Sequence, residues 1–166
     1  MRTERLRWAK GQWQAPATLT RADCVLYFGG KGLLEDGERF RELAAFYPAA
    51  HLVGCSTGGE IFGKEVADGT VVALAIALER SRLQVASASL PEPSQSFVVG
   101  AELAATLAAP DLKYVFLLSD GLTVNGAALL DGFYSVLPKE VVITGGLAGD
   151  GDEFVRTFVG CDAVPQ

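Results

Sequence analysis

Three segments of this chain end an apolar run in hydroxyl, carboxylate and glycine residues. They are Val53-Gly54-Cys55-Ser56-Thr57-Gly58-Gly59-Glu60-Ile61, Phe116-Leu117-Leu118-Ser119-Asp120-Gly121 and Val141-Val142-Ile143-Thr144-Gly145-Gly146-Leu147-Ala148-Gly149-Asp150-Gly151. Glycine lets backbone N–H groups approach an incoming group, while Ser, Thr, Asp and Glu supply donors and acceptors of fixed polarity. Such ends suit a small polar ligand. Tight turns need Gly or Asn but do not also need Ser56-Thr57 or Ser119-Asp120, so the coincidence of three such ends argues for a pocket. Ligand crevices of open α/β sheets lie beyond the carboxyl ends of the strands, and the expectation is that all three ends converge on one face of one sheet.

Other chemistries fit less well. Lys31 in Gly29-Gly30-Lys31-Gly32 lacks the Gly-x-x-x-x-Gly-Lys-Ser/Thr spacing of a phosphate loop. Gly145-Gly146-Leu147-Ala148-Gly149 is followed by Asp150-Gly151-Asp152-Glu153 where a dinucleotide site needs a helix, and acidic residues oppose a pyrophosphate. Cys55 is a candidate nucleophile whose thiolate the glycine turn would stabilise. The only histidine, His51, lies four strand residues away, roughly 13 Å at ~3.3 Å per residue, which is too far for proton transfer. A structural cysteine is therefore the favoured reading, and His51 reads as a strand-edge residue. Asp150, Asp152 and Glu153 lack a calcium-loop pattern and read as a solvated turn. No metal or cofactor is called for.

The elements that position these residues follow from periodicity. Residues 1 to about 21 hold scattered charge, two Trp and Pro16, and read as an N-terminal arm or edge segment. Cys24 to Phe28 is a strand. A helix follows, capped by Asp36 and stopped by Pro48, with Phe40, Leu43, Ala44 and Tyr47 as its apolar face. Leu52 to Cys55 is a strand, and Thr70 to Leu78 another, in which large residues alternate with Val71, Ala73, Ala75 and Ala77. Leu83 to Leu90 reads as its antiparallel hairpin partner. Then come a helix with Ser96 as cap and Val99, Leu103 and Leu107 inward, a strand from Lys113 to Leu118, and a helix capped by Asn125 with a stripe of Leu130, Phe133, Tyr134 and Leu137. Val141 to Thr144 and Phe154 to Val159 are the last strands. This order indicates a single α/β domain, a mixed sheet sandwiched with helices, over residues 22–166.

Length and composition agree with one sizeable core: 166 residues, 49% hydrophobic and 20% charged. No apolar stretch approaches the ~20 residues of a membrane span, and no apolar segment follows Arg2, Arg5, Arg7 and Lys10 as in a secretory signal. Cys24, Cys55 and Cys161 are odd in number and widely spaced, as in reduced, cytoplasmic proteins. The net charge of −6 disfavours nucleic acid as a partner. Asp162 to Gln166 follow the final strand at once, so the chain reads as the first part of a longer protein.

Gly54 to Ile61, Ser119-Asp120-Gly121 through Asn125-Gly126, and Thr144 to Gly151 followed by Phe154 resemble, in that order, the N-terminal half of the FIST sensory domain, over Cys24 to Val159. The resemblance implies an intracellular, non-enzymatic input module of bacterial signal transduction that binds small ligands such as amino acids. It also implies a C-terminal FIST half or an output domain as partner. Some relatives are haem-binding nitric oxide sensors, which makes a haem-based half-domain an alternative, as is a thiol hydrolase or transferase using Cys55. The resulting site is Cys55, Ser56, Thr57, Gly58, Gly59 and Glu60, then Ser119, Asp120, Gly121 and Asn125, then Gly145, Gly146 and Asp150. Glu60, Asp120 and Asp150 would accept from an ammonium, while Ser56, Thr57 and glycine N–H groups would hold a carboxylate.

Overall fold

A computed structural model describes the chain over residues 1–14 and 17–166, and among these described residues ten strands form three hydrogen-bonded groups. Pro16, assigned from sequence to the N-terminal arm, lies outside the described residues. In chain order the elements begin β1 (Arg2–Ala9), β2 (Gln12–Trp13), β3 (Cys24–Gly30), α1 (Lys31–Leu34), α2 (Glu38–Phe46), β4 (His51–Thr57). They continue β5 (Glu60–Phe62), β6 (Glu65–Ala67), β7 (Val71–Ala77), α3 (Ser96–Leu107), β8 (Tyr114–Ser119), α4 (Gly126–Val136), β9 (Val142–Leu147) and β10 (Val159–Cys161). The class is α/β with a mixed sheet, as the alternation of periods predicts. Contacts divide the chain into two compact units, residues 1–83 with 148–166, and residues 84–147.

The first unit is built on a six-stranded sheet of order β10-β4-β3-β7-β1-β2, parallel between β3 and β4 and antiparallel elsewhere. β7 shows the alternation read from sequence: Val71, Ala73, Ala75 and Ala77 are buried, while Val72, Leu74 and Ile76 are half-buried. The small alanines admit Tyr27, Leu34, Leu43 and Tyr47 into one core with Val25 and Leu52. Each fully buried aliphatic side chain there contributes about 1.5–3 kcal/mol. Gly54 lies beside Tyr27, and a Cβ at that position would stand 2.5 Å from the tyrosine ring, so the ring needs the glycine. On α2 the expected face is the packed one, through Phe40, Leu43, Ala44 and Tyr47. Asp36 acts one residue earlier than expected: its carboxylate accepts from Glu38 N–H at 2.8 Å, and Gly37 is the N-cap.

Three expectations need correction. Part of the N-terminal arm is a strand, with Leu6 buried; β1 occupies one side of β7 over Arg2–Trp8, and β3 occupies the other. No edge of β7 remains for a hairpin partner, so Leu83 to Leu90 forms no strand. The strand expected over Phe154 to Val159 is displaced to Val159–Cys161. Asp150 takes the N–H groups of Phe154, Val155 and Arg156, which holds them out of a ladder.

In the second unit β8 and β9 pair in parallel and helices α3 and α4 pack together over a core of Ala104, Val115, Leu129, Phe133, Leu137 and Val141. The helices touch through glycine. A Cβ on Gly100 would lie 2.2 Å from the Leu129 carbonyl, and one on Gly132 2.2 Å from the Phe97 carbonyl. This approach turns Leu129, Gly132 and Phe133 inward and leaves Leu130 and Tyr134 of the expected stripe exposed. Asn125 caps α4 as expected, its side chain accepting from Ala128 N–H at 3.1 Å. Ser96 opens α3, and its hydroxyl donates to the Pro93 carbonyl and accepts from Asn125 N–H. Among the described residues no helix is long and apolar enough to cross a membrane.

Candidate functional site

Parallel pairing of β3 with β4 sets Gly30 opposite Thr57, so two glycine-containing turns leave the sheet side by side. The chain turns sharply after Thr57. Gly59 has φ +149°, a conformation that side chains with a Cβ disfavour, and this leads into the β5–β6 hairpin. Glu60, 3% exposed, fixes that hairpin from beneath. One carboxylate oxygen accepts from the Thr57 hydroxyl at 2.7 Å, and the other from Thr70 N–H at 3.1 Å and the Thr70 hydroxyl at 2.8 Å.

The loop after β9 comes alongside. Gly149 N–H donates to the Ser56 carbonyl at 2.9 Å, and a Cβ on Gly58 would be 3.3 Å from the Gly151 Cα. Asp150 accepts from the backbone of Phe154, Val155 and Arg156. Those N–H groups, Arg156 first and then Val155, hold its carboxyl below the usual range. Between these turns lies a groove of about 370 Å³, walled by Gly30 to Leu33, by Thr57 to Glu60, by Asp68 and Gly69, and by Asp150, Gly151 and Glu153. Lys31 and Glu153 form an ion pair across part of it, and that hydrogen bond raises the Lys31 pKa.

Of the residues expected from sequence, the first unit thus brings together Thr57, Gly58, Gly59, Glu60 and Asp150. Cys55 and Ser56 are buried within the sheet instead. The Ser56 hydroxyl accepts from Phe158 N–H at 2.9 Å, and burial pushes the Cys55 thiol up to about 11, far from a reactive thiolate. Ser119, Asp120, Gly121, Asn125, Gly145 and Gly146 belong to the second unit, and β8 and β9 do not share the sheet of β4. The single-sheet convergence expected from sequence is therefore not met. There Asp120 accepts from Leu122 N–H at 2.9 Å, Thr123 N–H at 2.6 Å and the Thr123 hydroxyl. Ser119 stands opposite Leu147 in the ladder, and Gly145 lies so close to β8 that a Cβ would fall 1.7 Å from the Leu117 carbonyl.

The groove also holds Lys31, Asp68 and Glu153, which lie outside the site expected from sequence. By spacing alone Gly29-Gly30-Lys31-Gly32 only fails as a phosphate loop; the signal that places Lys31 at the groove is its position at the end of a strand parallel to the next one. His51 sits at the opposite end of β4 from the groove, its Nδ1 2.6 Å from an Asp162 oxygen, while the other Asp162 oxygen accepts from Leu52 N–H. Among the described residues no group of three or more His, Cys, Asp or Glu side chains is placed to hold a metal ion.

Residues 23–165 match the family model described as FIST N domain. No curated protein and no solved structure matches the chain.

Proposed function

Because the chain belongs to the FIST N domain family, a family of sensory domains in signal transduction, we propose that it is the ligand-binding input domain of a bacterial cytoplasmic signalling protein. Its ligand is a small zwitterion such as an amino acid, bound without chemical change in the groove between Gly30 and Glu153. A C-terminal FIST half or an output domain reads the bound state. The supporting observation is the pairing of Lys31 with Glu153 in a groove walled by Gly30, Gly32, Gly58 and Gly59.

A ligand carboxylate competes with Glu153 for the Lys31 ammonium and takes glycine N–H groups as further donors. Glu153, released from Lys31, then accepts from the ligand ammonium, with Asp68 on the same wall. Charge is conserved in the exchange, and no buried ion is left unpaired. Glu60 and Asp150 support this reading as the groups that shape the walls, since their oxygens already accept from the chain's own donors. The thiol-enzyme alternative draws no support from Cys55, which is buried with a raised pKa.

Thermal-shift and calorimetric titration with the twenty amino acids tests the proposal. A binder at 100 times its dissociation constant stabilises the chain by about 2.7 kcal/mol. Lys31→Ala is expected to weaken every binder by at least ~10-fold, the loss of one charge-assisted hydrogen bond. Absence of any binder, or a Lys31→Ala variant that binds as well as the parent, overturns it.

A further inference from the structure

Four exposed apolar residues, Ile61, Val66, Phe154 and Val155, lie within two positions of ones that line the groove. Ile61 and Val66 are 70% and 74% exposed, and they are direct cross-strand partners on the β5–β6 hairpin, so their side chains stand on the same side of it. The opposite side of that hairpin is committed to the fold: Glu60 is buried, and the Phe62 ring lies 5.7 Å from the Arg7 guanidinium and 5.8 Å from that of Arg5. A methyl of Val66 lies 3.9 Å from the Cβ position of Gly59, which lines the groove. The loop that carries Asp150, Gly151 and Glu153 continues into Phe154 and Val155, 76% and 73% exposed. Phe154 is held at φ +52°, unfavourable for an aromatic residue, while its N–H and that of Val155 bond to Asp150.

Single exposed apolar side chains are ordinary, but four of the most exposed among the described residues sit on two segments, the β5–β6 hairpin and the loop of Glu153, that also supply walls of one groove. The charged floor recognises the ammonium and carboxylate common to all amino acids and does not distinguish among them. Discrimination falls to the side chains beside it. We infer that the groove selects zwitterions bearing a large apolar side chain, with Ile61 and Val66 as specificity-determining residues. This rests on the zwitterion reading of the groove. A leucine- or phenylalanine-sized side chain rising from the floor covers the hairpin pair and removes apolar surface from water on both partners. Glycine, with the same charged ends, covers none of it.

The experiment is calorimetric titration of the full chain with leucine, phenylalanine, glycine and glutamate, repeated with Ile61→Thr/Val66→Thr and with Lys31→Ala. Threonine keeps the β-branching of both hairpin positions, so an apo melting temperature equal to the parent's is expected and is measured first. Leucine or phenylalanine is expected to bind the parent at least ~10-fold more tightly than glycine or glutamate. The hairpin variant is expected to lose ~5-fold or more for the apolar ligands and to leave glycine unchanged. Binding that ignores side-chain polarity, or an unchanged leucine affinity in the hairpin variant, overturns the selectivity while Lys31-dependent binding leaves the groove reading intact. Binding indifferent to Lys31→Ala, or no binding by any of the four, overturns the groove reading and the selectivity with it.

Discussion

The carboxylate of Glu60 accepts three hydrogen bonds from Thr57 and Thr70 while almost wholly buried, so its chemistry is spent on the hairpin. Glu60→Gln turns one acceptor into a donor facing hydroxyl and amide groups. The ligand-free chain is expected to lose about 1–3 kcal/mol, a fall in melting temperature of roughly 2–4 °C per kcal/mol. Unchanged apo stability with weakened ligand binding would instead put Glu60 in direct contact with the ligand. At Cys55, burial and the raised pKa predict slow alkylation at pH 7.5, with half-buried Cys161 labelled first in a mass-resolved time course. Tyr27 is buried with a hydroxyl that has no hydrogen-bond partner among the described residues. Tyr27→Phe is therefore expected to leave stability unchanged or to raise it by about 1 kcal/mol in denaturant titration; a loss of that size would mean that the hydroxyl is satisfied.

At the scale of elements, the α3–α4 pair depends on backbone-to-backbone approach. Gly132 has Phe97 O 2.2 Å and Ala101 N 2.8 Å from where a Cβ would stand, both backbone atoms that cannot rotate away. Gly132→Ala must push the helices apart despite the higher helix propensity of alanine. A cost of about 1–3 kcal/mol is expected, seen as faster amide exchange across residues 96–107 and 126–136. Exchange rates like the parent's would show that the pair tolerates a wider spacing. The β5–β6 hairpin is the contrasting element, pinned on one side by Glu60 and by the Phe62 ring near Arg5 and Arg7, and open to solvent at Ile61 and Val66 on the other.

At the scale of the molecule, Glu4 ties the first strand to the rest of its unit. It accepts from Thr18 N–H and hydroxyl, Leu19 N–H and the Tyr47 hydroxyl. Burial alone would raise its pKa, but bonds from Thr18, Tyr47 and Leu19 outweigh it and bring the group down to about 2 from 4.5. A depressed carboxyl stabilises the fold above its unfolded pKa, and that contribution is lost as pH falls through the folded one. The stability gap between the parent and Glu4→Gln, measured by denaturant titration, is expected to be constant above pH 5 and to close between pH 4.5 and about pH 2. A gap that does not change over that window would show that the carboxylate's charge is not what holds β1.

Local pattern alone determined the class of this protein and the family it belongs to. The two-residue period of β7, the apolar face of α2, the Asn125 cap and the three polar strand ends are written in neighbouring residues, whose physics is short-ranged. Tertiary structure decided which polar groups stay available. Nothing near Ser56 in sequence shows that Phe158, about a hundred positions on, takes its hydroxyl. Nothing local shows that Asp150 bonds its own loop, or that β1 fills the side of β7 on which Leu83 to Leu90 had a place. Lys31 gained its place only when parallel pairing set Gly30 beside Thr57 and the loop of Glu153 closed over both. A carboxylate or hydroxyl is equally fit for a ligand or for a backbone N–H, and which one it meets depends on contacts between residues far apart in the chain.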